Sequence, residues 1–286
     1  MLRRITSSLL IVVLLLSSVI VFADSITNEV VVSIGKNLTQ AQRQEVLNHF
    51  GVDENTRIVE VTNQEEREYL GKHIDESLLG TKALSCAYVE KLDEGQGITV
   101  QTNNISWVTE DMYRNALITA GVKDANVKVT SPINVSGTAA LTGIIKAFEG
   151  ITGEVVTEEE KEVASEEIAK TAMLGDEIGN ENATELINNV KAYVVANNIK
   201  DEKGIRETIE DMAQESGIKL TDKQIEEILS LMKHISELDL NLDDIKTQLK
   251  DISGKLDNII GQSEEAKSFI SKIFDAIADF FKGLFD

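Results

Sequence analysis

Hydrophobic and polar positions follow one pattern in the first half of the chain and another in the second. Up to residue 130, short β-branched runs that predict strands alternate with segments of helical spacing. The predicted strands cover residues 29–34, 57–61, 83–92, 97–108 and 126–130. Beyond Pro132, the single proline, every apolar segment has helical spacing. The pattern therefore predicts an α+β protein.

The predicted architecture is an N-terminal mixed α/β domain with a small sheet, followed by an all-α C-terminal region that forms a helical bundle or a coiled coil. The predicted divisions are a signal peptide over residues 1–23, the α/β domain over 24–150 and the helical region over 151–286. The alternative is a single α/β sheet that the later helices flank throughout. Strands after residue 160 would contradict the predicted class.

Threonine marks most helix starts in this sequence. In the capping box, a Thr is followed three residues later by Glu or Gln. This pattern opens predicted helices at Thr39, Thr62, Thr157 and Thr221. After Pro132, Ser136 is predicted to cap a helix that begins near Gly137. The glycine-containing segment 93–97 predicts a hairpin between the third and fourth strands.

One arrangement occurs twice: a strand, a threonine-capped helix, a Gly-Val pair and a second strand. The first copy contains Gly51-Val52, and the second contains Gly121-Val122 after the helix that Thr109 caps. Two hypotheses stay open. The chain contains an internal duplication, or it uses the same glycine signal twice to end a helix.

The N-terminal residues predict export. Arg3 and Arg4 precede an apolar run from Leu9 to Leu16, and Val21-Phe-Ala23 places small residues at the −3 and −1 positions of a cleavage site. Cleavage is therefore predicted between Ala23 and Asp24. An uncleaved anchor is the alternative. Either arrangement predicts a protein that is secreted and extracellular or retained at the cell envelope.

A heptad pattern extends from Ile228 to Ile259. Apolar residues recur there in alternating steps of three and four, as in a coiled coil. The pattern includes Leu242, Ile245, Leu249, Ile252 and Leu256. It predicts either a homo-oligomer joined through these residues or packing inside one chain, with a break at residues 239–241.

The last predicted helix, residues 263–285, has a wide apolar face rich in phenylalanine. Phe269, Phe274, Phe280 and Phe281 lie on this face. Such a face predicts a weak contact with a membrane surface or burial in a bundle. The opposite face is not basic, which favours burial.

Charge and cysteine content exclude several classes of protein. The net charge of −21 arises from 28 basic and 49 acidic residues. Such a surface repels the phosphate backbone, which excludes a nucleic-acid partner. The single cysteine, Cys86, excludes an intramolecular disulfide and a cysteine-ligated zinc site.

Five segments of the chain, taken in order, resemble one known family. They are Leu38-Thr39-x-x-Gln42, Val61 to Gly71, Tyr88-Val-Glu90, Met112 to Leu117 and Val135-Ser-Gly-Thr-Ala-Ala-Leu-Thr-Gly143. They resemble the YpuA-like family of secreted Gram-positive bacterial proteins, a domain of unknown function. The resemblance covers roughly residues 25–200. It implies export from a Gram-positive cell and supplies no catalytic residues.

The sequence contains few candidates for chemistry. Ser33-Ile-Gly-Lys36 has the S-x-x-K spacing of penicillin-binding enzymes, but no K-T-G or S-D-N motif follows. Asp239-x-Asn241-x-Asp243 resembles the start of a calcium loop without its glycine or its final glutamate. His49, His73 and His234 lack metal-site spacing, and Cys86 lies in an apolar run, as a buried thiol does.

We therefore predict no catalytic residues, no cofactor and no metal. The chain is interpreted as a secreted or envelope-associated, non-enzymatic binding or interaction protein. The alternative is an exported hydrolase that uses carboxylates, which needs neither histidine nor cysteine.

Overall fold

A computed structural model describes residues 29–53 and 55–240. The strands are β1 (Val30–Gly35), β2 (Arg57–Val61), β3 (Cys86–Lys91), β4 (Ile98–Ile105) and β5 (Ala125–Val135). The helices are α1 (Gln40–Phe50), α2 (Asn63–Leu70), α3 (Glu76–Leu79), α4 (Glu110–Thr119), α5 (Thr138–Thr152), α6 (Glu158–Ile178), α7 (Asn180–Ala196), α8 (Glu202–Glu215) and α9 (Asp222–Glu237). Because the described elements after β5 are all helices, the predicted α+β class is confirmed.

The five strands form one mixed sheet in the order β2-β1-β3-β5-β4. β3 is antiparallel to both of its neighbours, whereas β1–β2 and β4–β5 pair in parallel. The predicted hairpin between β3 and β4 is therefore wrong, because β5 lies between them. Asp124, the residue before β5, holds both ends of the intervening loop: its backbone carbonyl accepts from the N–H of Leu92, and its Oδ1 accepts from the N–H of Gly97.

Helices cover both faces of the sheet. α1 packs on the face that contains Val32 and Cys86, whereas α4 packs on the opposite face, which contains Val31 and Ala87. The two Gly-Val pairs make the same helix-ending hydrogen bonds, from Gly51 to Asn48 and from Gly121 to Ile118. The two copies of the recurring arrangement thus make the same local hydrogen bonds, but their helices lie on opposite faces of the sheet.

The junction between β5 and α5 differs from its prediction at two points. β5 continues through Pro132 to Val135, where a register shift in β4 lies alongside it, and proline is tolerated at such irregular pairing. Ser136 does not cap α5. The N-cap is Gly137, which has a φ of 99° and no side-chain cap. The predicted threonine caps are all confirmed, and the four capping boxes are complete.

One hydrophobic core joins the sheet to the later helices. It contains Val127 of β5 as well as Ile228, Leu231 and Ile235 of α9. The first part of the heptad pattern therefore packs inside the chain, and α9 ends at Glu237. The division after residue 150 stays a prediction, although the core is continuous across it.

Three predicted features lie outside the described residues and stay predictions. They are the signal peptide, the heptad residues from Leu242 to Ile259, and the helix over 263–285. In the part of the chain that the structure describes, no helix is long and apolar enough to span a membrane.

Both edge strands have backbone groups bonded by side chains from neighbouring helices. On β4, the carbonyl of Ile98 accepts from Arg114 Nε at 3.2 Å, and the N–H of Thr102 donates to Glu110 Oε1 at 2.9 Å. On β2, the carbonyl of Glu60 accepts from Lys146 Nζ at 2.6 Å. These contacts block backbone groups that another chain would need in order to add a strand.

Replacing both Glu110 and Arg114 with alanine is expected to promote self-association, because it frees the edge of β4. Sedimentation velocity over a range of concentrations measures this. The matched control replaces Lys203 and Glu207, an exposed ion pair on α8, and leaves both edges intact. A β4-edge variant that sediments like the wild type at every concentration would show that these two side chains do not protect the edge.

A candidate ligand-binding cleft between α6 and α9

Three pairs of polar residues join helices α6 and α9. Glu166 Oε2 lies 2.6 Å from His234 Nδ1, Lys170 Nζ lies 3.4 Å from Glu227 Oε2, and Gln224 donates to Glu177. The contacts follow opposite orders along the two helices, so α6 and α9 run antiparallel. Glu166 and Glu177 are about 16 Å apart along α6 at a rise of about 1.5 Å per residue.

A cavity of about 670 Å³ lies along these contacts, and we call it the α6–α9 cleft. The turn after α2 lines it as well, so the sheet half of the protein contributes to it. The lining residues are Lys72, His73, Glu166, Lys170, Met173, Leu174, Glu177, Thr221, Lys223, Gln224, Glu227, Ile228, Ser230 and His234. The volume is within the range of about 300–1,000 Å³ that is typical of small-molecule sites.

Glu166 is a buried carboxylate in the wall of the cleft. Its oxygens accept from Lys170 Nζ at 2.7 Å and contact His234 Nδ1. Burial raises the pKa of Glu166, but the hydrogen bonds from Lys170 and His234 outweigh it and hold the pKa below its ordinary value. The carboxylate is therefore ionised at neutral pH, and it orients the imidazole of His234 in the way that carboxylates orient histidines in other sites.

The imidazole of His234 is available to a ligand. Its side chain is 48% exposed, although the carboxylate that holds it is almost fully buried. With Nδ1 on the carboxylate, the opposite ring nitrogen, Nε2, accepts a hydrogen bond in the neutral form and donates one in the protonated form.

His73 has an unsatisfied nitrogen. Its Nε2 is buried and has no hydrogen-bond partner in the described residues. Burial lowers the pKa of His73 below its ordinary value. Among its charged neighbours, Glu166 and Glu162 raise this pKa, whereas Lys170 and Lys72 lower it. His73 is therefore neutral at neutral pH.

Replacing His73 with phenylalanine is expected to flatten the pH dependence of the free energy of unfolding just below pH 6.5. The unfolded chain takes up a proton near 6.5, whereas the folded chain takes it up at a lower pH. Stability is therefore complete above 6.5 and falls with pH until His73 titrates in the folded state. Glu166 loses its contribution to stability only below pH 4.5, since its pKa in the folded chain is lowered from that value.

Urea unfolding between pH 7.5 and 5 measures this slope. The control is the His49 to phenylalanine variant, because His49 is exposed at the end of α1 and lies outside the cleft. It should keep the wild-type slope. Parallel curves for the wild type and the His73 variant would refute the assignment.

Each carboxylate that lines the cleft, among the described residues, contacts a neighbouring side chain. Glu166 is bonded to Lys170 and His234, Glu227 contacts Lys170, and Glu177 accepts from Gln224. Among residues 29–53 and 55–240, no group of histidine, cysteine and acidic side chains is arranged to hold a metal ion.

The structure also locates the residues considered from the sequence. Ser33 is buried in β1, where its Oγ accepts from the N–H of Ala87 at 3.2 Å, whereas Lys36 is exposed, so the S-x-x-K motif forms no site. Cys86 is fully buried, as predicted, and burial raises the pKa of its thiol to about 11. Asp239 follows α9, and Asn241 and Asp243 lie outside the described residues.

Two of the three histidines, which lack metal-site spacing in the sequence, share one cavity in the fold. His73 and His234 both line the α6–α9 cleft, where Glu166 lies beside them. No local signal marks this group, because its members come from three separate parts of the chain. The sequence does place Ser230 and His234 one turn apart on α9, but only the tertiary fold brings Glu166 to them.

A family model described as "Protein of unknown function (DUF1002)" matches residues 34–252, which is well over half of the chain. The chain belongs to the DUF1002 family. The match includes every residue of the cleft and extends beyond the region of resemblance found in the sequence. Export is what the sequence implies for this DUF1002 protein, and it remains a prediction.

A relative with a similar chain length supports the assignment to DUF1002. The uncharacterized protein YpuA of Bacillus subtilis (strain 168) is 41% identical over 265 residues, which cover 92% of this chain and 91% of the relative. The predicted resemblance to a YpuA-like family is thus confirmed. No solved structure matches this DUF1002 chain.

Proposed function

We propose that this DUF1002 protein is an exported, non-enzymatic binding protein of the cell envelope that holds its ligand in the α6–α9 cleft. One observation carries the proposal: the cleft has the volume of a ligand site, yet each of its carboxylates already contacts a side chain of the same protein. The site therefore has room and polar groups for recognition, without a pair of carboxylates free to transfer protons.

The competing function is an exported hydrolase that uses carboxylates. Such an enzyme needs one carboxyl group as acid and another as base or nucleophile, both facing the substrate. Glu65 and Glu68 line a smaller cavity of about 220 Å³ between α2, α5 and α6, and there Glu65 is bonded to Lys146 at 2.6 Å. This second cavity resembles the cleft in tying a carboxylate to a lysine, which favours binding over hydrolysis.

Export is supported by the sequence of residues 1–23. Two arginines, an apolar run and a cleavage site with small residues occur in the order that secretion signals require. The acidic composition and the single cysteine are compatible with a protein that acts outside the cytoplasm without disulfides.

Cell fractionation combined with intact-mass measurement tests the proposal. In a Gram-positive host that expresses the full chain, the protein should be found in the medium or the wall fraction, with Asp24 as its first residue. Full-length protein in the cytoplasm would refute export. Full-length protein in the membrane fraction would refute cleavage and indicate an uncleaved anchor.

The enzymatic alternative is tested on the same purified protein. A panel of chromogenic ester, amide and glycoside substrates should show no turnover. Turnover that is lost in the Glu166 to glutamine variant, but kept in a Glu65 to glutamine variant, would replace the binding function with hydrolysis in the cleft.

A further inference from the structure

We infer that the α6–α9 cleft binds an amphiphilic anion, with the carboxylate or phosphate group at the histidine end and the apolar body along the helices. This inference rests on the proposed binding function and names the chemical class of the ligand. It is carried by the distribution of charged, unsatisfied and apolar groups along the cleft.

Basic side chains gather at one end of the cleft. Lys170 and His234 both contact Glu166, and the neighbouring turn supplies His73 and Lys72. Lys72 Nζ bonds to Glu162, one turn before Glu166, at 2.7 Å. Four basic side chains thus face three carboxylates, Glu162, Glu166 and Glu227, in a protein whose net charge is −21. When both imidazoles take up protons, the positive charges outnumber the carboxylates, and this end becomes an exception to the acidic surface.

At the histidine end of the cleft, the nitrogens without a described hydrogen bond belong mainly to imidazole rings. His73 Nε2 is buried without a partner in the described residues, and His234 makes its described bond through Nδ1 alone. A ligand with anionic oxygens would accept from both protonated rings, and hydrogen bonds between charged groups are the stronger kind.

The sign of the ligand charge follows from the groups that are already occupied. A cationic ligand would compete with Lys170 and His234 for Glu166, which is almost fully buried. An anionic ligand displaces neither of them. The structure therefore favours an anion at this end.

Apolar side chains line the cleft beside the Lys170–Glu227 pair. Met173 and Leu174 of α6 face it together with Ile228 of α9. These side chains lie between the histidine end and the contact of Gln224 with Glu177, so a ligand held at the histidines extends over them. The lining thus suits a short hydrocarbon body attached to the anionic group.

The three histidines of the chain make the test direct. Their Hε1 signals in proton NMR can be assigned with single variants, and His49 serves as an internal control because it lies outside the cleft. The probes are decanoate, decyl phosphate, inorganic phosphate, decanol and decyltrimethylammonium, each below its micelle concentration at constant ionic strength. The protein is the full chain as it is recovered after export.

Decanoate or decyl phosphate should shift the signals of His73 and His234, raise the pKa of His73 and leave the His49 signal unchanged. Binding should strengthen as the pH falls through the pKa of His73, because a protonated imidazole donates to the anion. Tighter binding of decanoate would indicate a fatty-acid-like ligand, and tighter binding of decyl phosphate a phosphate ester. The His73 to asparagine variant should bind roughly tenfold more weakly, and the His49 to asparagine variant like the wild type.

Other outcomes overturn the inference. Equal binding of decanol or decyltrimethylammonium would remove the anionic requirement, and equal binding of inorganic phosphate would remove the apolar body. Absence of binding by every probe overturns the inference but leaves the export results intact. A cytoplasmic protein that still binds decanoate would overturn the proposed function and leave this site standing.

Discussion

Replacing Lys191 with methionine is expected to lower the free energy of unfolding by about 3–5 kcal/mol. Lys191 is 0% exposed, and its ammonium lies 2.7 Å from the carboxylate of Glu167, which is 1% exposed. The other two donors of the ammonium reach the carbonyl of Asn115 at 3.0 Å and the hydroxyl of Thr119 at 3.2 Å. Every ammonium hydrogen is therefore used. The substitution would leave a buried carboxylate without its cation, and an uncompensated buried charge is among the largest single-residue costs.

Urea unfolding followed by circular dichroism measures this loss. The control is the Lys203 to methionine variant, which removes an ion pair whose side chains are 84% and 61% exposed and should cost no more than about 1 kcal/mol. The double variant that also replaces Glu167 with leucine should regain most of the lost stability, because an apolar pair can replace a buried ion pair. A Lys191 variant that unfolds like the control would refute the assigned role.

Replacing Gly137 with alanine is expected to cost about 2–4 kcal/mol, from two separate sources. The φ of 99° at this residue lies in the region that favours glycine, so any side chain adds backbone strain. A Cβ would also lie 2.5 Å from both Ile105 Cγ2 and Tyr113 Oη, far inside contact distance. Tyr113 is fully buried, and its hydroxyl donates to the carbonyl of Gly137, so the tyrosine ring cannot move freely.

A second glycine separates the two sources. Gly153, at the end of α5, has a φ of 72°, but a Cβ there would meet nothing within 4 Å. The Gly153 to alanine variant should therefore show only the strain of the left-handed backbone, about 1 kcal/mol. Thermal or urea unfolding of both variants gives the difference. Equal losses would mean that the contacts with Ile105 and Tyr113 relax at no cost.

The helix caps could be predicted because they are local. A threonine and a glutamate three residues later satisfy the same N–H groups in any fold, and the box at Thr157 has the same form as the box at Thr62. The predicted cap at Ser136 is wrong because tertiary packing decides the conformation of the turn at Gly137. The backbone there passes tightly between Ile105 and Tyr113, which a pattern of neighbouring residues does not reveal.

Strand pairing and the cleft depend on residues that are far apart in the sequence, so local patterns along the chain do not predict either of them. A glycine-containing loop between two strands favours a hairpin. Here β4 instead pairs in parallel with β5, because strand pairing depends on how the strands pack in the whole sheet. The cleft needs His73 from the turn after α2, Glu166 from α6 and His234 from α9. Each of these side chains is ordinary in its own segment, and only packing makes them one site.

Glu166 and Glu167 are adjacent in sequence but serve opposite sides of α6. Glu167 anchors the helix through Lys191 on α7 and Thr119 on α4, whereas Glu166 faces the cleft. α6 is thus held in place by its contacts with α4 and α7. Exposed ion pairs such as Arg206–Glu226 and Lys233–Glu202 join α9 to α8. A ligand that widens the cleft should displace α8 and α9 together. The rates of amide hydrogen exchange should therefore change in those two helices and stay the same in α6.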